Sequence, residues 1–179
     1  NETTFKRLFG DSVERKSNLE DEDVVVSQVA VGVKKKEQLP DINAAHMLLL
    51  ENDAVLNWLN DDRGFTIDIV KQFKLGMGKR KFSDGKISQA LMFPYFAKGV
   101  CVGVKYKSIP PDPKDFRFSA GWDLGLYNED VIVKDMESLI MCEGETDTLA
   151  LIAQGYTNVV GVSGCETKKV SYDTLLELP

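Results

Sequence analysis

Apolar positions change their spacing several times along the chain, and each change predicts a different kind of element. Residues 1–38 are polar and charged, with EDED at 20–23 and KKK at 34–36 enclosing a short β-like run, VVVSQVAVGV. This stretch reads as a linker or arm. From Ala45 the spacing becomes helical: Ala45, Leu48 and Leu49, then Val55, Leu56 and Leu59, with Asn52 and Asp53 placed to cap the second helix and Gly64 to end it. Thr66 can cap a third helix, TIDIVKQF, whose Ile69, Val70 and Phe73 form its apolar side before LGMG stops it.

From residue 86 the rhythm shortens. ISQALMFPYF and VCVGVKYKSI are β-branched and aromatic runs joined by a tight AKG turn, a hairpin signal, with Pro94 suggesting an edge or a bulge. PPDP at 110–113 is a loop, and DFRFSAG opens an extended piece. LIMC, TDTLALIAQ and NVVGV then follow as strand, helix and strand, a βαβ unit whose strands should be parallel with a right-handed crossover. The predicted class is therefore α+β leading into α/β. A helical and hairpin lobe comes first, and a βαβ unit follows.

Composition narrows what such a chain can do. With 179 residues, 43% of them hydrophobic, it can bury a domain-sized core. No apolar run approaches the roughly 20 residues needed to cross a bilayer, and the first residues lack the basic-then-apolar plan of a secretion signal. Cys101, Cys142 and Cys165 are odd in number and far apart, so they read as reduced core thiols. One histidine and no CxxC pair argue against structural zinc.

The net charge of −6 hides a strong asymmetry. Residues 71–117 carry eleven Lys or Arg against Asp84, Asp112 and Asp115, a basic island of +8 inside an acidic chain. Local fields decide where a polyanion docks, so one face suits a phosphate backbone or a nucleoside triphosphate. The acids concentrate where the βαβ unit would gather a ligand, at the carboxyl end of its first strand. Glu143 stands there, and Gly144 would let the backbone turn sharply and approach a ligand. Asp147, one helical turn on, sits near a helix amino terminus that favours an ionised carboxylate. Two such carboxylates suggest a Mg²⁺ site; Glu145 and Asp147 read equally well as first-turn acids that only complement the helix dipole.

At these residues the chain resembles a known family. CEGETDTLAL followed by GYTNVVGVSG is similar to the first half of a TOPRIM domain, the catalytic fold of DnaG-type primases, some topoisomerases and some nucleases. Upstream, Leu59, Arg63, Gly64, Ile69, Phe73, Leu75 and Gly76 resemble the primase pattern of a Leu, an Arg-Gly pair, an Ile and a Phe-x-Leu-Gly. MFPYFAKGVCVGVKYKSI, KDFRFSAG and LGLYN continue the same order. The resemblance covers roughly residues 40–165 and is closest in flavour to phage and organellar primase-helicases. It implies an arm at 1–38, an N-terminal primase subdomain at 39–136 and part of a TOPRIM subdomain at 137–179.

The implied activity is that of a DNA-directed RNA polymerase, making RNA primers on single-stranded DNA from nucleoside triphosphates, with Mg²⁺ or Mn²⁺. Glu143 takes the place of the catalytic glutamate and metal ligand, and Asp147 that of a second metal ligand. Lys79, Arg80, Lys105, Lys107, Lys114 and Arg117 would contact phosphates, with Tyr106 and Phe116 available to stack on bases. A replicative helicase, in cis or in trans, is the implied partner, no membrane is involved, and the setting is the cytoplasm or an organelle matrix. The family completes its metal site with an Asp-x-Asp on the next strand. None follows Glu143 in this sequence, so the TOPRIM part reads as truncated. Two alternatives stay open: a non-catalytic module binding single-stranded DNA or a helicase, and a TOPRIM nuclease.

Overall fold

The computed structural model describes residues 35–122, 125–133 and 136–162, all within one unit that begins at Lys34. The β-like run at 24–33, Cys165 and the segment after residue 162 lie outside the described residues. No helix among the described residues is long and apolar enough to cross a membrane.

Three helices open the fold, and each has the cap its sequence supplies. In α1 (Ile42–Leu50) the Asp41 carboxylate accepts from the amides of Asn43 and Ala44 at 2.9 and 3.0 Å. Asn52 does the same for Val55 at the start of α2 (Asp53–Arg63), and Thr66 for Ile69 in α3 (Ile67–Gln72). Gly64 ends α2 in the left-handed region at φ 68°, where its amide and that of Phe65 reach back to Asn60 and Leu59. The short loops fold the three helices over one apolar face. Leu49, Leu59 and Val70 are fully buried there, each contributing about 1.5–3 kcal/mol of transfer free energy.

That face belongs to a four-stranded antiparallel sheet, ordered β1 (Gly76–Lys81), β2 (Ile87–Ala97), β3 (Val100–Ser108) and β4 (Phe116–Phe118). The expected stop at LGMG is in fact the start of β1. GMGKRK has no β-branched residue to announce a strand, and pairing with β2 from Gly76 opposite Met92 to Lys81 opposite Ile87 makes it one. Gly76 is needed because α1 lies close: an added Cβ would meet Ala45 at 3.0 Å. Pro94 is not on an edge. It lies in β2, which has neighbours on both sides, immediately before a register shift at Tyr95/Phe96. The predicted hairpin turn is present, with Lys98 and Gly99 both at positive φ and both amides donating to the Asp130 carboxylate.

A second sheet, ordered β5 (Leu126–Tyr127), β7 (Val159–Val162) and β6 (Ile140–Cys142), holds the βαβ unit. β6 and β7 are parallel, as their pattern requires, and α4 (Glu145–Ala153) connects them. The edge strand β5 comes from before residue 137 and pairs antiparallel with β7. Tyr127 of β5 and Leu149 of α4 join the same core cluster as Phe93, Tyr95 and the three helices. One continuous core thus carries both sheets and holds the carboxyl end of β6 against β2 and β3.

Candidate nucleotide and nucleic-acid interface

β3 alternates its side chains between the two faces of its sheet, and this alternation sorts the basic island. Lys105 and Lys107 share one face, opposite Phe118 and Phe116 of β4 and opposite Phe93 and Leu91 of β2. Tyr106, between them, points the other way and is 4% exposed in a second core cluster with Met92 and Val104. It is therefore unavailable to stack on a base, the role that the resemblance implied for it; the Lys-Tyr-Lys alternation is that of a strand with Tyr106 in the core. Phe116 is half-buried and stays on the lysine face. The ammonium groups of Lys105, Lys107 and Lys114 lie 4.9, 5.9 and 5.5 Å from its ring centre.

The carboxyl end of β6 lies across from these cations. Glu143, Gly144, Glu145, Thr146 and Asp147 line one side of a cleft of about 510 Å³; Arg63, Lys105, Lys114, Phe93, Phe116 and Phe118 line the rest. Glu143 and Asp147 are exposed to it. The loop is held from below: the Gly144 carbonyl accepts from the Thr148 amide and from Thr148 Oγ1 at 2.8 Å, and Thr148 Oγ1 also lies 3.3 Å from Cys142 Sγ. Burial pushes the Cys142 thiol pKa up.

Gly144 itself is the helix N-cap in extended backbone at φ −166°, and an added Cβ would meet nothing within 4 Å. The chain does bend at Glu143 and Gly144, but through a backbone conformation that does not require glycine. The close approach is at Gly161 of β7, where a Cβ would meet Thr148 Oγ1 at 2.5 Å and the Gly144 carbonyl oxygen at 3.0 Å. A glycine opposite the loop, rather than in it, seats the loop.

The cations differ in what they already hold. Lys107 is 5% exposed and has no carboxylate within ion-pair distance among the described residues. Burial, and then the positive charges of Arg63, Lys114 and Lys105, lower its pKa from 10.5 to about 8. Lys114 and Arg63 are exposed at the cleft. Lys105 is 7% exposed, and its ammonium is 2.6 Å from Glu145 Oε2, while the Tyr95 hydroxyl donates to Glu145 Oε1. Tyr127 packs edge-on to Tyr95 at 5.0 Å, and its fully buried hydroxyl has no partner among the described residues. Burial, with the charge of Glu145 added, holds that phenol well above its ordinary pKa.

The other expected phosphate contacts are placed elsewhere. Arg80 shares the Tyr106 face, 4.4 Å from that ring, and forks onto both oxygens of Glu37 and the Phe118 carbonyl. The Ala120 amide and the Trp122 indole also donate to Glu37, so the pair pins the chain near residue 37 to the sheet. Hydrogen bonding from Arg80 holds the Glu37 carboxyl below its usual pKa. Arg117 lies opposite Tyr106, 3.5 Å from Asp115, on the face away from Lys105 and Lys107. Lys79 is exposed on β1 opposite Gln89. Sequence reasoning assigned no site role to Arg63, Tyr95 or Phe118. Arg63 at the end of α2 carried one signal, its place in the Arg-Gly pair; Tyr95 and Glu145, fifty residues apart, carried none.

Two carboxylates opposite a set of cations fit a hard divalent ion that keeps waters and shares phosphate oxygens with its substrate. Among the described residues no group of three or more His, Cys, Asp or Glu side chains could hold such an ion by itself.

No protein-family model and no curated protein matches the chain. Solved structures do. A DnaG catalytic core aligns at a TM-score of 0.58 with 16% identity, covering 76% of this chain and 55% of that one. The Escherichia coli primase catalytic core aligns at 0.58 with 18% identity, over 76% of this chain and 56% of that one. A Pseudomonas aeruginosa DNA primase domain aligns at 0.54 with 20% identity, over 76% and 56%. The chain thus shares the fold of bacterial primase cores and spans little more than half of their length.

Proposed function

We propose that this chain is the nucleotide- and template-binding core of a DnaG-type primase, which builds RNA primers on single-stranded DNA by nucleotidyl transfer from nucleoside triphosphates. The observation that carries the reading is the cleft itself: exposed Glu143 and Asp147 on one side, exposed Arg63 and Lys114 with the Phe116 ring on the other. The fold shared with primase cores supports the reading from outside.

Such a cleft suits phosphoryl transfer, where catalysis is mostly positioning and neutralisation of charge. Lys114 and Arg63 would take phosphate oxygens, and the buried Lys107 would add positive charge from behind Phe116. Phe116 and Phe118 line the cleft beside them. Glu143 and Asp147 would hold Mg²⁺ or Mn²⁺, which when bound neutralises the triphosphate and lowers the pKa of an attacking hydroxyl. Glu143 would also serve to accept that hydroxyl's proton. A helicase in cis or in trans, and a phage or organellar primase-helicase as the parent, belong to the proposal on the sequence resemblance alone.

The test is calorimetric titration of a nucleoside triphosphate into the protein with and without Mn²⁺, for the wild type, Glu143→Gln and Asp147→Asn. Binding should tighten with metal in the wild type and lose most of that dependence in both variants, with melting temperatures little changed. An equal metal dependence in all three proteins would remove the catalytic reading. Tight, metal-independent binding of single-stranded DNA would then favour a non-catalytic binding module.

A further inference from the structure

Of the three acids in EGETD, the middle one behaves unlike its neighbours. Glu143 and Asp147 face solvent, whereas Glu145 is 3% exposed. A first-turn acid that only complements the helix dipole has no reason to be buried, because taking a carboxylate and an ammonium out of water is costly even when they pair. Here the acid reaches across from α4 to two strands of the other sheet, accepting from the Tyr95 hydroxyl on β2 and the Lys105 ammonium on β3. Both partners are buried. Lys105 and Glu145 nevertheless line the cleft, beside Lys114 and Arg63.

We propose that Glu145 is a built-in counter-ion. It ties the loop bearing Glu143 and Asp147 to the cationic strand and withdraws Lys105 from the set of charges that bind an incoming polyanion. Glu145 and Lys105 are then positioning residues, and the phosphate contacts on this side belong to Lys114 and Arg63. The proposal rests on reading the cleft as a polyanion site. Its distinctive consequence is a gain of binding charge when an acid is neutralised, which loss of structure would not produce.

The experiment measures affinity for a single-stranded oligothymidylate against salt concentration in the wild type, Glu145→Gln, Glu145→Gln with Lys105→Met, and Lys114→Met. Freeing Lys105 should steepen the log–log salt slope of Glu145→Gln by about 0.7, so that roughly 2.6-fold more affinity is lost between about 50 and 200 mM salt. The double variant should match the wild-type slope, and Lys114→Met should be shallower by about 0.7. A folded Glu145→Gln with an unchanged or shallower slope overturns the proposal. If Glu145→Gln does not fold, the double variant, which removes both charges of the buried pair together, decides. A fall in its slope would mean that Lys105 was a phosphate contact all along. Should the wild type fail to bind and Lys114→Met change nothing, the reading of the cleft fails together with the proposal, an outcome distinct from wild-type binding with the wrong slopes.

Discussion

Replacing Lys107 by methionine should make this protein more stable and a poorer binder at once. The Lys107 ammonium is buried among Arg63, Lys114 and Lys105, with Glu145 the one nearby acid acting in its favour. Its pKa falls from 10.5 to about 8 on folding. The native state therefore binds its proton less tightly than the unfolded chain does. At any pH below 8 the fold carries the full penalty, and between pH 8 and 10.5 stability rises as the folded lysine gives up its proton. A shift of this size corresponds to about 3 kcal/mol at roughly 1.4 kcal/mol per pKa unit.

Methionine keeps most of the length of the side chain and removes the charge, so Lys107→Met should recover up to that amount at pH 7. In a domain of this size that is a rise of roughly 6–12 °C in melting temperature. The assay is thermal and urea unfolding of both proteins from pH 6 to 10.5. The difference between them should be largest below pH 8 and shrink towards the upper end, while single-strand affinity falls in Lys107→Met at pH 7. A variant less stable than the wild type at pH 7, or a difference that does not change with pH, would refute the reasoning. Lys107 would then have a counter-charge in solution.

Two further outcomes are expected. Gly161→Ala should cost about 1–3 kcal/mol, because its Cβ would collide with Thr148 Oγ1 and the Gly144 carbonyl oxygen, whereas Gly144→Ala should cost under about 1 kcal/mol; chemical denaturation of the pair tests which glycine seats the loop. Arg80→Met should destabilise by about 1.5 kcal/mol at pH 7 through loss of its fork onto Glu37. That difference should disappear as pH falls through the lowered folded pKa of Glu37, since a depressed carboxyl contributes stability only while it is ionised. The salt slope for single-stranded DNA should be unchanged by Arg80→Met, and a slope shallower by about 0.7 would place Arg80 among the phosphate contacts after all.

Local chemistry alone determined much of this protein. The caps at Asn52 and Thr66, the stop at Gly64, the β2–β3 turn and the parallel βαβ unit are decided within a few residues of chain, and all are where the pattern puts them. So is the position of Glu143 at the end of a strand. Strand β1 was not legible, because GMGKRK becomes a strand only by pairing with β2 and fitting beneath Ala45. The basic island was legible as charge but not as a site. Strand alternation turns Lys105 and Lys107 to one face and Tyr106 with Arg117 to the other, and partners more than ten residues away then decide which charges are already matched. The same holds within EGETD. Three acids in five residues look alike in sequence, but burial against Tyr95 and Lys105 is settled by how two sheets pack, and that packing makes Glu145 an internal partner while Glu143 and Asp147 face the cleft.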